Sequence, residues 1–375
     1  MIDYLEQRLG SLCRRFSSGK GISADLINEI GKYPVIGGNG LRGYTDIYNF
    51  DGECAVIGRQ GAYCGNVQFF SGKGYMTEHA VVTQPNSANN AKYLTYKLSG
   101  LSLGRFSGQA AQPGLSVTKL ARLRIEMPPK WYQDKVAGIL SAYDNLIELN
   151  NKRIKLLEQM AENLYKEWFV RFRFPGHETA EFEYGIPKGW EQRKLFDIAN
   201  ITYGYAFSSD EFCDDESLNA VVRIRDVPNN ATNTYTIEQC PEKYLISENA
   251  ILVGMDGIFH MCLWNGKRAF LNQRVAEIES VCPEICNYYL YLSIAPQIKY
   301  WEQVIAGTTV AHLGDKHLKK MTVLVPDKIT LGKANAILTR IMIEKNNLFK
   351  QNEQLIKQRD LLLPRLMSGK LEVLM

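Results

Sequence analysis

Two halves of this chain echo each other at an offset of about 195–200 residues, and a long internal repeat limits the fold more than composition does. The segment AVIGRQGAYCGNVQFFSGKGYMTEHAVV (55–82) resembles AILVGMDGIFHMCLWNGKRAFLNQRVAEI (250–278), with Gly61 on Gly257, Gly72 on Gly266 and Thr77 on Asn272. Further on, GQAAQPGLSVTKLARLRIEMP (108–128) lines up with GTTVAHLGDKHLKKMTVLVP (307–326), matching Leu115 to Leu313, Leu120 to Leu318 and Pro128 to Pro326. Earlier, EQRLGSLC (6–13) echoes EQRKLFDIA (191–199). Each match is weak alone; their shared order and near-constant offset imply one supersecondary plan used twice.

Both halves use the same grammar. Short β-rich runs (Ala55–Ile57, Ala80–Thr83, Ile251–Val253, Met321–Val325) alternate with Gly- and Asn-rich turns. One helical stretch follows in each half, Lys92–Leu98 and Cys286–Tyr300, and then a long helix. In the first long helix Leu140, Ile147, Ile154, Ala161 and Trp168 recur every seventh residue, flanked by Tyr143, Asn150, Leu157 and Leu164. That is a heptad seam. The second repeats Ile341, Leu348, Leu355 and Leu362, but its companion column, Leu338, Lys345, Asn352, Arg359 and Leu366, is half polar. Such a seam favours pairing with the first helix of the same chain. Separate core helices, or coils pairing between chains, are the alternatives. The expected fold is α+β: two pseudo-twofold-related α/β domains, 1–130 and 175–330, separated by an antiparallel intrachain coiled coil of helices at 131–174 and 331–375. A rod of about 35 residues at ~1.5 Å per residue is ~50 Å long, which equals ~15 base pairs of DNA at ~3.4 Å each.

The chain has 375 residues, enough for two domains, with 45% hydrophobic and 22% charged residues, ordinary for a globular protein. No apolar run reaches the ~18 residues of a membrane span, and Met1-Ile2-Asp3-Tyr4 has neither the basic nor the apolar region of a signal peptide. A cytoplasmic location without membrane contact is expected. Eight cysteines without a C-x-x-C pair are expected to be reduced, mostly buried thiols. Charge is uneven. Residues 1–130 hold 15 Lys and Arg against 9 Asp and Glu, which suits a polyanionic partner; residues 180–330 hold 14 against 20.

Catalytic signatures are missing from the sequence. Every Gly-Lys pair (19–20, 31–32, 72–73, 266–267, 332–333, 369–370) lacks the Ser or Thr of a phosphate loop. Pro128-Pro129 lies between Met127 and Lys130, unlike the Asn/Asp-Pro-Pro-aromatic pocket of adenine methyltransferases. His79, His177, His260, His312 and His317 have no zinc-hydrolase spacing, and no metal site is expected. No catalytic residues are assigned.

The sequence resembles the specificity (S) subunit of type I DNA restriction-modification systems. The resemblance rests on ILSAYDNLIELNNKRIKLLEQMAENLYKEWFVRFRFPG (139–176), similar to the family's central helix and its exit, and on IPKGWEQRKLFDIA (186–199), similar to the start of a second target-recognition domain. The pieces AQPGLS (111–116) and GTTVAHL (307–313) look like two variants of one recognition loop, and KQRDLLLPRLMSGKLEV (357–373) like the family's ending. The resemblance implies two target-recognition domains that each read part of a split, double-stranded DNA sequence, with two helices setting the spacer. It implies a non-catalytic subunit that binds no cofactor. Two modification (methyltransferase) subunits would methylate adenine with S-adenosylmethionine, and motor-nuclease restriction subunits would use ATP and Mg. The first domain departs from the pattern. It lacks the Ile-Pro-x-Gly-Trp lead-in of 186–190, so a shortened first strand or turn is expected there.

Base reading needs donors and acceptors on loops, whereas backbone contact needs cations and small residues. In the first domain the candidates are Ser18, Gly19 and Lys20; Arg59, suited to guanine, and Gln60, suited to adenine, with Gly61 and Tyr63; and Gln109 and Gln112. In the second they are Tyr203, Tyr205, Asp256, Thr308, Thr309 and His312, plus Arg223 and Arg225, which alternate along an expected strand and so would share a face. The acidic run Asp210, Glu211, Asp214, Asp215 and Glu216 is expected to face away from DNA. An adaptor with twin ligand-binding domains on a coiled-coil stalk is the alternative function, and a self-contained DNA enzyme a more distant one.

Overall fold

The computed structural model describes all residues except 1, 62, 109–113, 306–310, 372 and 374–375. The chain divides into two compact units. One comprises Met1–Leu149 with Asn352–Met375, the other Asn150–Gln351.

The first unit is built on a six-stranded sheet in the order Cys13–Ser18, Ala80–Pro85, Phe50–Gly58, Val67–Met76, Tyr33–Gly37, Gly40–Thr45. All neighbours are antiparallel except Tyr33–Gly37 with Val67–Met76. The central strand carries a continuous apolar run because both its faces are covered. Ala55 and Ile57 pack with Tyr93, Leu94 and Leu98 of helix Ala91–Ser99, while Cys54 and Val56 pack with Ile36, Phe50 and Met76 on the other side. Asn90 caps that helix, its side chain accepting from the Tyr93 amide at 3.0 Å.

The second unit repeats this plan with a split sheet. Ala199–Tyr203, Val275–Ser280, Ile251–Gly254 and Met261–Leu263 form one sheet. Phe212–Cys213, Tyr235–Thr236, Asn219–Val222 and Phe270–Leu271 form the other. The ten-residue strand Val67–Met76 is here broken into Met261–Leu263 and Phe270–Leu271. Between them Trp264 turns into a core and donates its indole N–H to the Lys267 carbonyl at 3.1 Å. Ile251 and Val253 face helix Asn287–Ile305, and Leu252 faces away, the alternation seen at residues 54–57.

Two helices run through both units: the central helix Lys130–Tyr165 and the C-terminal helix Lys328–Met367. They pair antiparallel within each unit. In the first, Tyr132, Val136, Ala137 and Leu140 share a core with Leu366 and Met367, the Tyr132 hydroxyl donates to the Leu366 carbonyl at 3.0 Å, and Arg359 meets Asp144 at 2.7 Å. In the second, Asn150 donates to Gln351 at 3.0 Å, Arg153 meets Glu344 at 2.5 Å and Lys345 meets Glu158 at 2.7 Å. Of the seam, Leu140, Ile154, Ala161, Ile341 and Leu348 are buried, and Ile147, Leu157, Leu164, Leu355 and Leu362 half-buried. The polar companion column is thus satisfied across the pair, by Lys345 on Glu158 and Arg359 on Asp144.

The central helix ends in a π-turn over Lys166–Val170, followed by Phe172 at φ 57°. Phe169, Phe172 and Phe174 then close on Trp190, with ring centroids 5.8, 5.8 and 4.9 Å away. The Trp190 indole donates to Asp327, the residue that caps the C-terminal helix by accepting from the amides of Ile329 and Thr330. The aromatic run at the helix exit and the lead-in of the second half therefore serve one junction.

Three expectations change. Helix 286–300 runs over Asn287–Ile305. Among the cysteines only Cys54 is buried; the other seven are half-buried, Cys13, Cys213 and Cys262 on outer strands and the rest in turns, loops or next to a helix start. Arg223 and Arg225 do not share a strand face. The strand stops at Val222, where its parallel pairing with Phe270–Leu271 ends; Arg223 caps the 3-10 turn Ile224–Asn229 that follows, and Arg225 lies within it.

Candidate nucleic-acid interface

In the first unit the sheet curls until its first strand in order reaches the end of the fourth: the Lys20 amide donates to the Met76 carbonyl at 2.9 Å. Five segments meet there, residues 18–20, 36–38, 58–61, 76–80 and 114–115. The Gly19 amide donates to Ala80, that of Thr77 to Ile36, that of Arg59 to His79, and that of Leu115 to Arg59. Gln60 bridges Gly114.

The second unit repeats each of these bonds. Tyr205 donates to Leu271, Gly204 to Val275, Asn272 to Val222, Met255 to Arg274, and Leu313 to Met255; Asp256 bridges His312. Glycine is demanded at one pair of matched positions. A Cβ on Gly19 would lie 2.1 Å from the Met76 carbonyl oxygen, and one on Gly204 2.1 Å from that of Asn272. These bonds give the equivalences Gly19–Gly204, Thr77–Asn272, Gln60–Asp256, His79–Arg274 and Leu115–Leu313. At the first strand the EQR identity is one residue out of step, since Leu9 and Leu195 make the matching bonds, to Leu123 and Met321.

The sequence candidates gather on this row. Lys20, Gln60, Gly61 and Tyr63 are exposed, while Arg59 is half-buried and holds the Leu115 carbonyl through Nε at 3.3 Å. The Ser18 and Thr77 hydroxyls are buried without a hydrogen-bond partner. Tyr203 donates to Asp315; burial and that carboxylate push its phenol up. Tyr205 packs edge-on against Phe207 at 4.9 Å and tilted against Tyr244 at 5.5 Å. Arg223 follows Val222, the partner of Asn272, and lies over the Phe212 ring at 4.9 Å; Arg225 donates to Thr234 at 3.2 Å. In the first unit the matching position is Gly37, and the Arg42 side chain crosses the space a Cβ there would need. An arginine thus reaches this point from different elements in the two units. Gln109, Gln112, Thr308 and Thr309 lie outside the described residues.

The sequence reading missed Arg42, His79 and Arg274. The last two were within reach: each stands two residues after the matched pair Thr77 and Asn272. Arg274 Nε lies 3.2 Å from Asp256 Oδ2, and His312 Nδ1 lies 2.6 Å from Asp256 Oδ1. The acidic residues Asp210, Glu211, Asp214, Asp215 and Glu216 are exposed. Among the described residues no three His, Cys, Asp or Glu side chains group as a metal site, and no helix is long and apolar enough to cross a membrane.

Comparison with known proteins agrees with this architecture. The sequence profile of the type I restriction modification DNA specificity domain matches residues 1–159 and again 187–358. The Type I restriction enzyme EcoprrI specificity subunit of Escherichia coli is 41% identical over 136 residues, 35% of this chain and 34% of that protein. The Type I restriction enzyme MjaIX specificity subunit of Methanocaldococcus jannaschii is 25% identical over 384 residues, 92% of this chain and 88% of that protein. The alignment therefore spans about a third of the first relative and most of the second. A crystal structure of the type I restriction-modification S subunit from M. genitalium superposes with a TM-score of 0.65 at 17% identity, covering 97% of this chain and 96% of that one, which shows a shared fold. With two matched domains in one sequence, the chain belongs to the type I restriction-modification DNA specificity family.

Proposed function

We propose that this chain reads a bipartite double-stranded DNA target with a fixed-length spacer and recruits modification and restriction subunits. The observation that carries the reading is the duplicated row. The two units hold the same backbone bonds yet present different side chains, Gln60, His79 and Gly114 in one and Asp256, Arg274 and His312 in the other. A constant scaffold with variable donors and acceptors is what reading two unlike half-sites requires. The 36-residue central helix runs through both units, and at ~1.5 Å per residue is long enough to set a spacer.

The helices also offer attachment points. On the central helix Ile139, Leu146 and Leu149 stand exposed in the first unit, and Leu156 and Met160 in the second. Exposed aliphatic side chains on a helix suit apolar helices of partner subunits. In this reading the chain is non-catalytic and cytoplasmic and binds no cofactor. S-adenosylmethionine belongs to two methyltransferase partners, and ATP and Mg to the motor-nuclease partners.

Mapping methylated adenines in cells that carry the chain with its modification subunits tests this. A split motif with an invariant gap is expected. Methylation at one contiguous motif, or methylation that does not depend on the chain, contradicts it.

A further inference from the structure

In the second row Arg274 is paired with a carboxylate that the candidate His312 also engages. The Arg274 side chain is 56% exposed, and among the described residues its ion-pair partner is Asp256, nearest through Nε. Asp256 is 26% exposed, and both of its carboxylate oxygens are engaged, Oδ2 by Arg274 and Oδ1 by His312. The three residues come from separate segments, all locked by backbone bonds: Met255 to Arg274, Leu313 to Met255, and Gly257 to Ala311. The first unit has no such clamp, since Gln60, His79 and Gly114 occupy the matching positions and His79 pairs with Glu78.

Resting on the DNA-reading role above, we propose that Arg274 reads a guanine in the half-site of the second domain, and that Asp256 and His312 are positioning residues for it. The chemistry favours a base over a phosphate. The nearest Asp256 oxygen lies 3.2 Å from Nε as an ion pair, so the carboxylate sits on the Nε side and the two Nη groups remain as a planar pair of donors. That fork fits O6 and N7 of guanine in the major groove. A carboxylate at contact distance cancels much of the charge that attracts phosphate but leaves the directional donors intact. Fixing the side chain before binding also removes part of the rotamer entropy a free arginine would lose. Asp256, with both oxygens occupied, is thereby assigned to support rather than to base reading.

The test is the methylation motif of the full chain with its modification subunits. Arg274→Ala is expected to lose a guanine at one position of one half-site, lowering discrimination there about tenfold to a hundredfold, with the spacer and the other half-site unchanged. Arg274→Lys keeps the charge without the fork and is expected to relax the same position while methylation continues, so a failure of the alanine variant to fold leaves the test standing. Asp256→Asn is expected to weaken discrimination at that position alone; a purely structural role would instead lower methylation at all sites together with the melting temperature. An unchanged motif with uniformly weaker methylation in the Arg274 variants overturns the proposal, as does relaxation at a base other than guanine. A wild-type chain that marks no split motif would remove the DNA-reading role itself, a result independent of the variants.

Discussion

The two units share a backbone plan and differ in how they use it. In the first, one curled sheet carries the row with Lys20, Arg42 and Arg59 on it, and among the described residues its close carboxylate contact is His79 with Glu78, its sequence neighbour. In the second, the sheet is split, and Arg274 and His312 are tied by Asp256. A general polyanion grip suits the first row, while a directed contact suits the second. The charge asymmetry along the sequence, basic before residue 130 and acidic over 180–330, has this structural counterpart.

The largest expected effect tests whether the rows are equivalent. Gly19→Val and Gly204→Val each force a side chain into a backbone carbonyl and are expected to cost about 3 kcal/mol apiece in denaturant unfolding. A large loss in one unit and none in the other breaks the equivalence. Next, the double changes Lys20→Ala/Arg59→Ala and Arg223→Ala/Arg225→Ala are each expected to weaken DNA binding by the complex about tenfold and to flatten its salt dependence. Gel shifts across a salt series read this, and no change for a pair removes it from the interface.

Smaller effects compare the clasps between the helices. Lys345, only 12% exposed, depends on Glu158, and Arg359 on Asp144. Glu158→Ala is expected to cost about 1 kcal/mol, since the remaining lysine is shielded from water and loses its carboxylate, and Asp144→Ala less, since Arg359 keeps Asp360 at 2.8 Å. The smallest effect is alkaline. Burial pushes the thiols of Cys54, in the first unit, and Cys262, in the second, up to about 12. Stability from a raised thiol is full below its unfolded value of roughly 8.5 and is lost as pH climbs toward 12. Each of these two thiols should cost its unit roughly 0.8 kcal/mol by about pH 9. Cys262→Ala should reduce the alkaline loss of the second unit only, and Cys54→Ala that of the first only in part, since burial pushes Cys13 there up to about 12 as well.

Much of the plan was legible in the sequence because it rests on local signals. The heptads at 140–164 and 341–362 forecast two helices, and the half-polar second seam forecast a partner in the same chain. The matches Gly61–Gly257, Thr77–Asn272 and Leu115–Leu313 coincide with equivalent backbone positions. Other features are properties of the assembled sheet. Tyr33–Gly37 and Asn219–Val222 occupy the same place with little in common beyond apolar character, so the sequence around Arg223 and Arg225 reads as strand where a turn begins. Arg42 and Arg274 gain meaning only when separate segments are laid side by side. Gln109, Gln112, Thr308 and Thr309 fall outside the described residues.

The central claim is that matched rows read two half-sites whose distance the long helices set. Inserting four residues after Asn150 lengthens the central helix by ~6 Å, about one or two base pairs. Methylation mapping should then show both half-sites unchanged and the gap longer by one or two base pairs. Altered half-sites at an unchanged gap would contradict the account.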